Sequence, residues 1–152
     1  MQIRIFNWRR VESLYKDTSI NKSYLEKELP QYFNKEKNFS DIESINIIFT
    51  TLNFIHELNK EYRDIDTPTD VLSFNVDNIG EIYISLDFIK NNIDTEDIAE
   101  EIIRDMVHGI LHILGYDHKD KFNQQTKDKE IMFVKQEKIL QNIYHDINNR
   151  VR

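Results

Sequence analysis

The stretch from Ile98 to Leu114 constrains this chain most. Ile98, Ile102, Ile103, Val107, Ile110, Leu111 and Leu114 recur at helical spacing. They predict a helix that is apolar around most of its circumference, which must be buried against other elements. Thr95 is placed to cap its start, with Glu96 and Asp97 in the first turn, and Gly115 is placed to end it. His108 and His112 share one face. Glu101, seven residues before His108, lies nearly in line with them, and Arg104 and Asp105 are on the same side. A charged stripe on a buried helix is costly unless paired. Glu101 can serve to orient imidazoles there, whereas Arg104 and Asp105 read as the helix's solvent side.

The rest of the chain supplies the covering elements. Ile3–Phe6 reads as a short strand, and Ile45–Thr50 as a buried strand rich in β-branched residues. Val71–Phe74 and Glu81–Ser85 read as two more strands around a loop containing Gly80. Ser23 to about Lys35 is helix-like, with Pro30 expected to kink or interrupt it. Leu52–Tyr62 carries Leu52, Ile55 and Leu58 at helical spacing. A last helix is expected from about Gln125 into the 140s, with Ile131, Val134 and Ile139 on its apolar pattern. The expectation is a single α/β (α+β) domain over residues 1–152. It has a mixed sheet of roughly four strands and about five helices, the histidine helix packed on the sheet.

Three histidines fall within His108-Gly-Ile-Leu-His112-Ile-Leu-Gly115-Tyr-Asp-His118. Side chains at i and i+4 sit on one helix face, so two imidazoles can converge on one ion. Gly115 permits a sharp turn that can fold His118 back as a third ligand. Three nitrogen ligands with an open fourth position describe a catalytic zinc site, one ion per chain, although three imidazoles also suit other divalent ions. The chain has no cysteine, which excludes thiolate metal sites, disulfides and a cysteine nucleophile. The spacing H-x3-H-x2-G-x2-H is also that of metzincin proteases, but Gly109 stands where they carry the glutamate base. Asp117 is a proton acceptor or, more simply, a turn-former. His56 and His145 read as ordinary surface or capping residues.

Charge divides the chain into three. Residues 1–37 carry 8 basic and 5 acidic side chains, residues 38–120 carry 5 and 18, and residues 121–152 carry 7 and 4. The overall charge of -7 therefore belongs to the middle, and both ends are mildly basic. Taken whole, an acidic chain argues against nucleic acid; taken by segment, it does not. Lys121, Lys127 and Lys129 follow the histidines and are placed to track a phosphate backbone. No apolar run near Met1 suits a signal peptide, and no run of 18 apolar residues suits a membrane span. A cytoplasmic protein without a membrane partner is expected.

The histidine segment resembles the H-G-x-L-H-L-x-G-Y-D-H signature of the YbeY family of bacterial rRNA maturation factors. Leu58-Asn59-Lys60-Glu61-Tyr62-Arg63 and Thr69-Asp70-Val71-Leu72-Ser73-Phe74 resemble that family's L-N-x-x-Y-R and T-D-V-L-S-F pair. Gly80-Glu81-Ile82 is similar to its G-D-I strand start, with Glu in place of Asp. The resemblance implies a single-strand-specific, metal-dependent endoribonuclease. It implies a role in maturing the 3′ end of 16S rRNA on the ribosomal small subunit and in ribosome quality control. It gives His108, His112 and His118 as zinc ligands, Arg63 as the functionally important arginine, and Glu101 as a catalytic glutamate. Taken alone, Arg63 reads as a surface ion pair with Asp64 or Asp66; beside a metal its planar fork suits a phosphate. The general base stays open between zinc hydroxide, a metal-activated 2′-OH and a carboxylate such as Asp117. Two other functions fit parts of the pattern: a zinc hydrolase of another class, such as a peptidase, and a non-catalytic ribosome-assembly factor with a structural zinc. Oligomeric state is not legible in the sequence.

Overall fold

The structure, a computed structural model, describes residues 1–14, 20–92, 97–116 and 124–151. Four strands, β1 (Gln2–Phe6), β2 (Ser44–Thr50), β3 (Val71–Val76) and β4 (Ile79–Ser85), form one mixed sheet in the order β1-β2-β4-β3. β1 and β4 both run parallel to β2, and β3 returns antiparallel to β4 as an edge strand. Six α-helices surround it: α1 (Arg9–Leu14), α2 (Lys22–Glu28), α3 (Leu52–Arg63), α4 (Leu86–Asn92), α5 (Ile98–Ile113) and α6 (Gln124–Val151). The α/β expectation and the mixed four-stranded sheet hold, and α1 and α4 are helices the sequence reading did not place. Among the described residues no helix is long and apolar enough to cross a membrane.

Alternation along the strands decides which face is buried. Ile45, Ile47 and Phe49 of β2 are in register with Gly80, Ile82 and Ile84 of β4, and all six face the core. α5 lies on this face. Its approach is close: a Cβ on Gly109 would meet Ile82 Cγ2 at 2.7 Å, and one on Gly80 would meet Ile113 Cδ1 at 2.5 Å. Gly80 is therefore a strand residue kept small by α5, not part of the loop the sequence suggested. The turn is Asp77-Asn78, both at positive φ (53° and 66°), as a two-residue type I′ hairpin requires. Short polar side chains tolerate that conformation, so no glycine is needed.

The helix ends follow local chemistry. α2 stops at Glu28, and Leu29–Phe33 continue as a 3-10 turn with Pro30 in its first positions. α5 is capped by Asp97, whose side chain accepts the Glu100 N–H at 3.0 Å. Asp97 thus takes the role assigned to Thr95, which lies outside the described residues. At the other end Gly115 (φ 99°) donates to the His112 carbonyl and Tyr116 to that of Leu111, as a glycine-terminated helix should.

α6 departs most from expectation. Its buried stripe is Met132, Gln136, Ile139, Leu140, Ile143 and Ile147. Ile139 is on it, but Ile131 and Val134 are exposed. The stripe contains a buried glutamine, which hides it from a search for apolar periodicity.

Candidate active site

α3 delivers Arg63. Thr51 caps the helix start by accepting the Phe54 N–H at 3.1 Å, and Asp64 closes its end in a left-handed conformation (φ 59°). Buried Asn59 then ties down the following loop: its side-chain Nδ2 donates to the Thr67 carbonyl at 2.8 Å, and its backbone carbonyl accepts the Ile65 N–H. This loop feeds directly into β3. Ser85 N–H donates to the Asp70 carbonyl at 2.9 Å, so strand alternation turns the peptide groups of Val71 and Ser73 away from β4, towards the open edge.

α5 delivers the histidines to the same place. Arg63, Thr69, Asp70, Val71, Leu72, Ser73, His108 and His112 line one cleft of about 450 Å³. The Nε2 atoms of His108 and His112 are 3.0 Å apart and their rings meet edge to face. Gln136 of α6, missed in the sequence, holds His108: Nδ1 of the ring lies 2.7 Å from its Oε1. The amide is oriented because its Nε2 donates to Glu137 at 3.1 Å. An amide oxygen only accepts, so His108 carries its proton on Nδ1 and turns Nε2, as an acceptor, towards His112.

These features fit a metal ligand pair. Two nitrogens 3.0 Å apart suit an ion bound at about 2.0–2.1 Å from each, and a ligand histidine normally donates its other N–H to a fixed acceptor. Among the described residues no group of three or more metal-binding side chains converges. The expected third ligand, His118, lies outside the described residues, as do Asp117, Lys121 and the side chains of Lys127 and Lys129.

The charged stripe of α5 does something other than expected. Arg104 pairs with Glu100 (3.1 Å), with Glu101 and with Glu137 of α6 (3.0 Å), which clamps the two helices together. Glu137 above all, and Glu101 with it, raise the affinity of Arg104 for its proton despite partial burial. Burial pushes the Glu137 carboxyl up, but Arg104 and Gln136 together bring it below its ordinary value. Glu101 is half-buried, points its carboxylate at Arg104 and is not brought to the cleft wall. Asp105, expected at the solvent side, is only 6 % exposed, and its Oδ2 is buried without a hydrogen-bond partner. Burial pushes its carboxyl up to about 10, helped by the neighbouring Asp70 and Glu101 and opposed by Arg104. Burial thus favours its neutral form.

Arg63 makes no ion pair among the described residues. Asp64 closes α3 through its backbone N–H, which donates to the Asn59 carbonyl, and Asp66 pairs with His56 at 2.8 Å. His56 is thus a surface residue with a partner, and His145 lies 3.0 Å from Asn149. Glu81 accepts the Tyr83 hydroxyl at 2.9 Å on the sheet face away from α5.

The model of the family described as endoribonuclease YbeY matches residues 10–144. An endoribonuclease YbeY of Persephonella marina is 37% identical over 138 residues, covering 84% of this chain and 86% of that protein. One of Acholeplasma laidlawii is 40% identical over 113 residues, covering 68% and 77%. The solution structure of a Thermotoga maritima protein superposes with a TM-score of 0.59 at 27% identity, covering 97% of this chain and 93% of that one. With a family model spanning most of the chain and relatives of this similarity, the protein belongs to the endoribonuclease YbeY family.

Proposed function

We propose that this chain is a zinc-dependent endoribonuclease that cleaves single-stranded RNA, works in the cytoplasm on the small ribosomal subunit and matures the 3′ end of 16S rRNA. The observation that carries the reading is the convergence of the His108 and His112 Nε2 atoms in a cleft faced by Arg63. His108 and His112, with His118 as the third ligand expected from the sequence, would hold the ion. When bound, zinc supplies Lewis acidity at a phosphoryl oxygen and lowers the pKa of water towards neutrality.

The chain's own residues do the rest. Arg63 offers its fork to the non-bridging phosphate oxygens, whose charge grows as the phosphorus is attacked. The outward N–H groups of Val71 and Ser73 provide fixed donors along the open edge of β3, suited to sugar or phosphate oxygens. Gln136 keeps the His108 ring in one tautomer throughout.

A peptidase is disfavoured by packing. Gly109, at the position of the protease base, faces β4, where even a methyl group would crowd Ile82. No side chain there can reach the cleft. Mapping of 16S rRNA 3′ ends in cells carrying His108→Ala or Arg63→Glu tests the proposal, with unprocessed ends expected to accumulate in both. Normal 3′ ends in both strains would refute it.

A further inference from the structure

Four aromatic rings form an unbroken chain on the sheet face opposite α5. Phe54 of α3 meets Tyr83 of β4 at 5.9 Å between centroids, Tyr83 meets Phe74 of β3 at 6.0 Å, and Phe74 meets Tyr62 of α3 at 5.3 Å. The two ends of this chain are open to solvent, Phe54 at 48% and Tyr62 at 62% exposure. The neighbouring Ile55 of α3 and Leu72 of β3 are buried, whereas these two rings are not.

The rings are continuous with the cleft. Tyr62 immediately precedes Arg63, and Phe74 immediately follows Ser73, and both Arg63 and Ser73 line the cleft. β3 is an edge strand, so a polymer lying against the histidines reaches the rings by crossing one open strand. Charge selects which part of that polymer faces them. Glu57 and Glu61 are exposed on α3 and repel phosphates, while Glu81 is engaged by Tyr83. A strand of RNA anchored at Arg63 therefore turns its uncharged bases, not its backbone, to this face. Base–aromatic stacking is tolerant of sequence and needs unpaired bases.

We propose that Tyr62, Phe74, Tyr83 and Phe54 form a stacking platform for the nucleobases of single-stranded RNA next to the cleft, an inference that rests on the endoribonuclease reading. The platform explains how a chain with an acidic middle holds RNA, since stacking requires no positive charge. It also selects single strands, because paired bases offer no free faces.

The test is fluorescence anisotropy of the full-length zinc-loaded protein with a labelled 2′-O-methyl RNA ten-mer, which resists cleavage through the 2′-OH. Tyr62→Ala is expected to weaken binding about tenfold. It should leave the salt dependence of binding unchanged, whereas Arg63→Ala should reduce that dependence. Tyr62→Phe should restore affinity and Tyr62→Leu should not. A 2-aminopurine base in the same oligomer should be quenched by the wild type and less so by Tyr62→Ala. Both Tyr62 and Phe54 are exposed, so their variants test binding rather than folding.

Wild-type affinity in Tyr62→Ala and Phe54→Ala would overturn the platform. So would equal rescue by Leu and Phe, or an absence of RNA binding by the wild type. Self-association that depends on Tyr62, with RNA affinity unchanged, would assign the rings to a contact between copies and also overturn it. Cleavage of the unmodified oligomer reads the enzyme proposal separately. Ring-dependent binding without cleavage by the wild type would defeat the nuclease reading and leave the platform standing.

Discussion

The Nδ1–H of His108 donates to Gln136, and this one bond fixes which ring nitrogen faces the cleft. His112→Ala removes a ligand and should abolish zinc binding, read by elemental analysis, with helical circular dichroism retained. Gln136→Ala leaves both ligands but frees the ring, and should weaken zinc affinity roughly 10- to 100-fold. Unchanged zinc affinity would show that the tautomer is set elsewhere. Asp105 calls for a different measurement. Its folded-state carboxyl is raised to about 10, so the folded protein keeps a proton that the unfolded chain releases above about pH 4. Stability should therefore fall as pH rises from about 4 towards 10. Asp105→Asn, which cannot ionise, should gain steadily on the wild type as pH rises through that window. Parallel urea-denaturation profiles of the two proteins between pH 5 and pH 8 would refute a buried neutral acid. His108 and His112 were legible from their spacing alone. Gln136 and Asp105 were not, because a polar residue at a helical position looks the same in sequence whether it faces solvent or a buried partner.

At the scale of elements, α5 and β4 fix the site by their close contact. Gly109→Ala should raise helix propensity by about 1 kcal/mol but forces a methyl group against Ile82 Cγ2, on a β-branched side chain that cannot easily turn aside. Overpacking of this kind typically costs about 1–3 kcal/mol, so a net loss in thermal stability is expected. A rise in Tm would show that the interface relaxes. The element boundaries from the sequence were good where the signal was local: Pro30 at the break after α2, Leu52 at the start of α3, Gly115 after α5. They failed where the deciding contact was distant. Gly80 looked like a turn residue because nothing in the local sequence announces that Ile113 lies above it. Ile131 and Val134 looked buried because the true stripe of α6 is interrupted by Gln136, which holds His108 rather than joining the apolar core.

At the scale of the whole molecule, the cleft exists because an edge strand separates the tip of α3 from the C-terminal half of α5. Arg63 comes from one side and the histidines from the other, so they should fail independently. Arg63→Glu is expected to keep its zinc and its Tm while lowering kcat/KM on single-stranded RNA by about 100-fold, the scale of a lost charged hydrogen bond. Loss of zinc or of fold in that variant would mean that Arg63 is structural. By itself the sequence determined the α/β class, most strands and helices, the pairing of His108 and His112 on one helix face, and the family. All of these rest on local periodicity or on motifs a few residues long. Only the tertiary structure decided that Arg63 faces the histidines and that Glu101 is taken up by Arg104. It likewise decided that Asp105 is buried and that four rings from three elements join into one surface. Each of those depends on contacts between residues far apart in the chain, whose geometry is set by packing across the sheet.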